Sequence, residues 1–108
     1  MNSKRMNRVN SAIHKELSLI LSEEGMENNL MITITSVDTN SDLREAKVYI
    51  EALSRVDEAV LILNKRKPYF QSLLAKRIKM KFTPVLNFIK DTTGENVDKI
   101  LDIIDKNE

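Results

Sequence analysis

The side chains best placed to do chemistry in this sequence are cations set in stretches that contain no acid. Residues 59–90 carry Lys65, Arg66, Lys67, Lys76, Arg77, Lys79, Lys81 and Lys90, and residues 1–15 carry Lys4, Arg5, Arg8 and Lys15, with no carboxylate in either block. Elsewhere the sign reverses: residues 16–58 hold ten acids against three bases, and residues 91–108 hold six against two. A net charge of +1 therefore conceals a chain segregated by sign. Such a chain can turn a basic face to a polyanion, with Lys and Arg on phosphate oxygens, and keep its acids elsewhere.

Other chemistries fail on residue type. With no cysteine there is no disulfide, thiol nucleophile or thiolate metal site. His14 is the only histidine and falls at the border of an apolar stripe, so it reads as a surface side chain rather than a base or a ligand. Asp38, Asp42 and Asp57 stand beside turns and helix starts, where carboxylates serve as caps and turn formers. No Ser-His-Asp set, phosphate loop or metal-ligand spacing occurs. The expectation is a protein that is not an enzyme and needs no cofactor, metal or small-molecule substrate.

The elements that must carry these cations follow from periodicity. Met6, Val9, Ile13, Leu17 and Ile20 recur at helical spacing, which predicts a first helix closing near Gly25 with Lys4, Arg8 and Lys15 on its outer side. Residues 31–37 and 45–53 alternate apolar and polar side chains as strands do, and Asp38-Thr39-Asn40-Ser41-Asp42 between them is turn chemistry, so a hairpin is expected. Ser54 offers a cap to a second helix marked by Val56, Ala59, Val60 and Leu63. Pro68 then interrupts the helix, since it has no N–H to donate, and it suits the first position of a third one striped by Phe70, Leu73, Leu74 and Ile78. Residues 79–89 alternate as a strand whose part beyond Pro84 lies at an edge or bulge. Thr92-Thr93-Gly94-Glu95 opens a C-terminal acidic helix over 92–108.

The predicted fold is thus α+β, in the order α-β-β-α-α-β plus a C-terminal helix, with a three-stranded sheet covered mainly on one face. A chain of 108 residues with 42% hydrophobic composition fits one domain, 1–108, with a modest core. The longest apolar run, 59–63, is far below the ~20 residues of a membrane-spanning helix. The polar N-terminal residues lack the apolar segment of a secretory signal, and a cytoplasmic monomer without membrane attachment is expected. The element order is that of a type II KH domain, although no GxxG loop is present to let backbone approach nucleic acid closely.

Three stretches carry a resemblance to a known family. The basic first helix, the run Ser41-Asp42-Leu43-Arg44-Glu45-Ala46-Lys47-Val48-Tyr49-Ile50, and the run Leu73-Leu74-Ala75-Lys76-Arg77-Ile78-Lys79-Met80-Lys81-Phe82-Thr83-Pro84 continuing through Leu86 and Phe88 to Asp91 resemble the ribosome-binding factor A family in content, order and spacing. Two departures stand out: Arg66-Lys67-Pro68 replaces the family's usual Ala-x-Gly kink, and Val85 follows the proline where an acid is common. The resemblance implies an assembly factor that binds the immature 30S subunit or its precursor 16S rRNA late in maturation, assists 16S rRNA 5′-end formation and supports growth in the cold. It places RNA contacts at Lys4, Arg5 and Arg8, at Arg66 and Lys67, and at Lys76, Lys79 and Lys81. The basic blocks add Lys15, Lys65, Arg77 and Lys90 to the candidate RNA-binding set. Arg77 carries less weight because it falls inside the apolar stripe, where it would snorkel or pair with an acid. Tyr49 and Tyr69 read as packing residues rather than base stackers. The rival reading is a protein-interaction adaptor that meets a basic partner through its acidic helices.

Overall fold

The computed structural model describes residues 3–24 and 32–93. Its elements are α1 (Ser3–Glu23), β1 (Thr33–Thr39), β2 (Glu45–Glu51), α2 (Val56–Lys65), α3 (Lys67–Arg77) and β3 (Val85–Lys90), an α+β fold in the expected order. The helix expected over 92–108 lies almost wholly outside the described residues. In α1 the apolar stripe behaves as its spacing requires: Ile13, Leu17 and Ile20 are buried, while Lys4, Arg8 and Lys15 are exposed.

The sheet order is β1-β2-β3, with β1 and β2 antiparallel and β3 parallel to β2. Ala46, Val48, Ile50, Leu86 and Phe88 point into the core, and Lys47, Glu51 and Val85 point to solvent. Alternation fails once, in β1. The register slips between Ile34 and Ser36, so that Ile34 and Val37, three residues apart, both reach the core. Phe70 of α3 is fully buried and meets the Phe88 ring edge-on at 6.0 Å between centroids.

The strand expected over 79–89 starts only at Val85. Its first rung is the Val85 N–H donating to the Arg44 carbonyl, 2.8 Å, immediately before β2 begins. Residues 79–84 therefore lie beyond the start of β2, and Pro84 has no N–H with which to extend the ladder in that direction. The apolar-polar alternation of Lys79-Met80-Lys81-Phe82 is that of a connection and not of a strand. The cap of α2 differs too: the N-cap position is Arg55 and not Ser54, in left-handed conformation (φ 54°) and without a side-chain cap bond.

The break between α2 and α3 falls at Arg66, and α3 opens at Lys67 with Pro68 in its first turn. Its placement follows from the outer edge of β3. Val85 and Asp91 donate their N–H groups to the carbonyls of Arg44 and Ile50, so the intervening even-numbered residues turn theirs away from β2. Three of those groups are taken by side chains of the helix pair. Asn64 donates to the Phe88 carbonyl and accepts its N–H, each at 2.9 Å, and Gln71 accepts the Leu86 N–H at 3.2 Å. Lys67 adds a bond from Nζ to the Asn87 side chain, 2.8 Å. An edge strand left bare would be both a desolvation penalty and a pairing hazard.

Two outcomes are expected. Asn64→Ala strands two part-buried backbone groups and should lower the free energy of unfolding by about 2–3 kcal/mol, and Asn64→Asp should not restore it, because a carboxylate cannot donate to the Phe88 carbonyl; chemical denaturation measures both. Arg55→Gly removes a left-handed conformation costing about 1–2 kcal/mol, partly offset by about 0.5–1 kcal/mol of glycine chain entropy, so the thermal midpoint should rise modestly.

Candidate nucleic-acid interface

Three elements meet at the end of the sheet where β2 and β3 begin: the first turns of α1, the β1–β2 turn and the connection 79–84. The β1–β2 turn is built by Asn40. Its carbonyl accepts the Leu43 N–H at 3.0 Å, and its side-chain oxygen accepts the N–H groups of Arg44 and Glu45, both at 3.0 Å. Leu43 sits in the left-handed region (φ 62°), the position a glycine usually fills in such loops. Holding a leucine there sets an apolar side chain on the cleft that the three elements enclose.

That cleft has a volume of about 570 Å³. Val9, Leu43 and Met80 give it apolar lining, and Arg5, Arg44, Lys79 and Lys81 bring four cations against a single acid, Asp42. Asp42 is already engaged, accepting the Arg44 N–H at 3.1 Å and pairing with the Arg44 guanidinium at 3.7 Å. Phe82 completes the wall with 71% of its surface exposed, and the Lys81 ammonium lies 5.7 Å from its ring centroid. The first turn of α1 carries Lys4 and Arg5 and no acid, so these charges add to the positive end of the helix dipole.

The structure gathers only part of the expected set here. Arg5, Lys79 and Lys81 share the cleft, and Lys4 and Arg8 are exposed beside Arg5 on α1. Lys15 lies on the same helix about 15 Å farther along, given a rise of ~1.5 Å per residue. Lys76 is exposed near the end of α3. Lys65, Arg66 and Lys67 do not line the cleft. Lys65 is exposed at the end of α2, Lys67 is bonded to Asn87, and the Arg66 guanidinium lies over the rings of Tyr69 and Phe70, 5.0 and 5.2 Å from their centroids. Arg77 is held by Glu16 at 3.5 Å and by Glu23, so α1 answers its charge within the fold. Lys90, at the end of β3, is half-buried.

Arg44 and Phe82 belong to the cleft and were not singled out by sequence. Tyr69 donates its hydroxyl to Glu24, a bond that, with desolvation and the Glu24 charge, raises its pKa above the usual phenol value. Asp91 is lowered, first by the Thr93 backbone N–H and then by the Thr35 and Thr93 hydroxyls. His14 is not a bare surface group: it is half-buried, with Nε2 2.9 Å from the Ile34 carbonyl, and it serves to tie α1 to β1. Among the described residues no cluster of His, Asp or Glu could hold a metal ion, and no helix is long and apolar enough to cross a membrane.

An α+β module with an open cationic cleft has the geometry of a binding surface. Comparison with known proteins gives the same answer with a family attached. Residues 5–104 match the family model for ribosome-binding factor A. A ribosome-binding factor A from Alkalilimnicola ehrlichii is 32% identical over 107 residues, which cover 94% of this chain and 82% of that one. The crystal structure of ribosome-binding factor A from Thermus thermophilus is similar with a TM-score of 0.70 at 21% identity, covering 79% of this chain and 94% of that one. A homology model of the Thermus thermophilus factor, as fitted into a cryo-EM map of its 30S complex, is similar with a TM-score of 0.66 at 22% identity, covering 76% and 90%. The chain belongs to the ribosome-binding factor A family, whose members are binding factors and not enzymes.

Charge in the cleft has a measurable signature with any RNA. Each cation that neutralises a phosphate steepens the dependence of log affinity on log salt by about 0.7–0.9, so Lys79→Ala with Lys81→Ala should reduce that slope by about 1.4–1.8. Both side chains are exposed, so the thermal midpoint should stay where it is.

Proposed function

We propose that this protein is an RNA-binding assembly factor that docks on the immature 30S small ribosomal subunit through precursor 16S rRNA. In this reading it acts late in maturation, assists 16S rRNA 5′-end formation, supports growth in the cold, and works in the cytoplasm as a monomer with one RNA-binding domain over 1–108. The observation that carries it is the cleft in which Arg5, Arg44, Lys79 and Lys81 converge from three elements. Family membership supports the ribosome as partner, and the Thermus thermophilus relative placed in a 30S complex supports the small subunit.

The chemistry fits a folded RNA. With no GxxG loop, phosphates are held by long side chains and not by a closely approaching backbone, and such contacts orient the protein without reading bases. Recognition of rRNA shape follows.

The test is co-sedimentation with small subunits. Charge reversal at Lys65, Arg66 and Lys67 would mix binding with folding, because Arg66 and Lys67 have partners inside the fold. The cleaner variant is Lys76→Glu with Lys79→Glu and Lys81→Glu, all exposed. It should lose co-sedimentation at physiological salt while unfolding at the same temperature. Undiminished co-sedimentation would remove the proposal's basis in these residues.

A further inference from the structure

Phosphate contacts explain the cations of the cleft but not its aromatic wall. A phenylalanine with 71% of its surface in water makes no contribution to the core, whose aromatic members are Phe70 and Phe88. Lys81 lies over the Phe82 ring at 5.7 Å, within the range of a cation–π contact. Arg5 and Lys79 line the same cleft, together with the apolar side chains of Val9, Leu43 and Met80. The volume, about 570 Å³, lies in the range of small-ligand sites, about 300–1,000 Å³.

A flat apolar surface ringed by cations is complementary to a nucleobase attached to its phosphates. We infer that this cleft takes one unpaired nucleotide of RNA, its base stacked on Phe82 and its flanking phosphates held by Arg5 and Lys79. The inference rests on the RNA-binding reading above and deepens it. A base inside an A-form helix is already stacked on its neighbours and cannot present its face, so the occupant comes from a loop, a bulge or a chain end. The only acid in the cleft, Asp42, is engaged with Arg44, and the rest of the lining offers apolar surface and cations. The site therefore stacks a base without selecting its identity.

The experiment compares a short single-stranded oligoadenylate with an abasic strand of the same length, which keeps the phosphates and lacks the bases. The full chain should bind the oligoadenylate about 5- to 150-fold more tightly, the range expected for one stacked base. Phe82→Ala should abolish that preference and leave the salt slope unchanged, since no charge is removed, and Phe82→Trp should keep it. Equal binding of both strands by the unaltered protein would overturn the inference, as would a preference that survives Phe82→Ala. A lowered thermal midpoint for Phe82→Ala with the preference intact would mean that the chain itself covers the ring, and would also overturn it. Failure here is separable from failure of the assembly reading: loss of base preference leaves small-subunit co-sedimentation in place, and a protein that stacks the oligonucleotide but ignores subunits would retain the site and lose the function.

Discussion

The constraint on which the rest of the structure depends is the outer edge of β3. A parallel strand reached by a helical crossover ends the sheet with backbone groups that no neighbouring strand can take. Here the helix pair takes them, through Asn64 on the Phe88 backbone and Gln71 on the Leu86 N–H. One unbroken helix could not do this for long. Residues 56–77 as a single helix would run about 33 Å, whereas the six residues of β3 span about 20 Å. The break at Arg66 returns the chain over the strand, and the Arg66 guanidinium, lying over Tyr69 and Phe70, packs the corner.

That break determines where the cleft forms. Because α3 is turned to lie along α1, with Arg77 held by Glu16 and Glu23, the chain must return from its end to the start of β3. Residues 79–84 make that return ahead of the first rung between β2 and β3, where no strand partner exists. Lys79, Lys81 and Phe82 are consequently left in solvent beside the β1–β2 turn and α1. The cationic cleft is a product of the edge clamp.

Elements with a strong period were legible from residues alone. The stripe of α1, the alternation of β2 and the interruption near Pro68 each appear where the spacing puts them, since each rests on local side-chain geometry. What could not be read depends on partners distant in sequence. The alternation of 79–82 satisfies a strand pattern, but the register with β2 begins only at Val85, and nothing local reveals that. The buried Pro84 was the one local sign, because proline within a sheet favours the first position of a strand or its edge. Leu43 and Arg55 occupy left-handed positions that sequence would assign to glycine or asparagine, and the slip in β1 is visible only through its pairing. Of the cleft, the lysines were legible as charge; Arg44 was hidden in an acidic stretch, and Phe82 was hidden by the false strand.

The division of the basic residues matters more than their total. Three cations of the 59–90 block, Arg66, Lys67 and Arg77, make contacts that hold the fold, and the uninterrupted sign of that block does not mean that every member faces a ligand. Exposed pairs of this sort contribute little each, about 0–1 kcal/mol, but they fix where the remaining charges can point. The cations that converge come from separate parts of the chain, Arg5 from α1, Arg44 from the hairpin, Lys79 and Lys81 from the return to β3. Their field is strong only when all three elements are in place, so the concentration of charge is coupled to the integrity of the fold. An unfolded chain with the same net charge of +1 would have no such concentration.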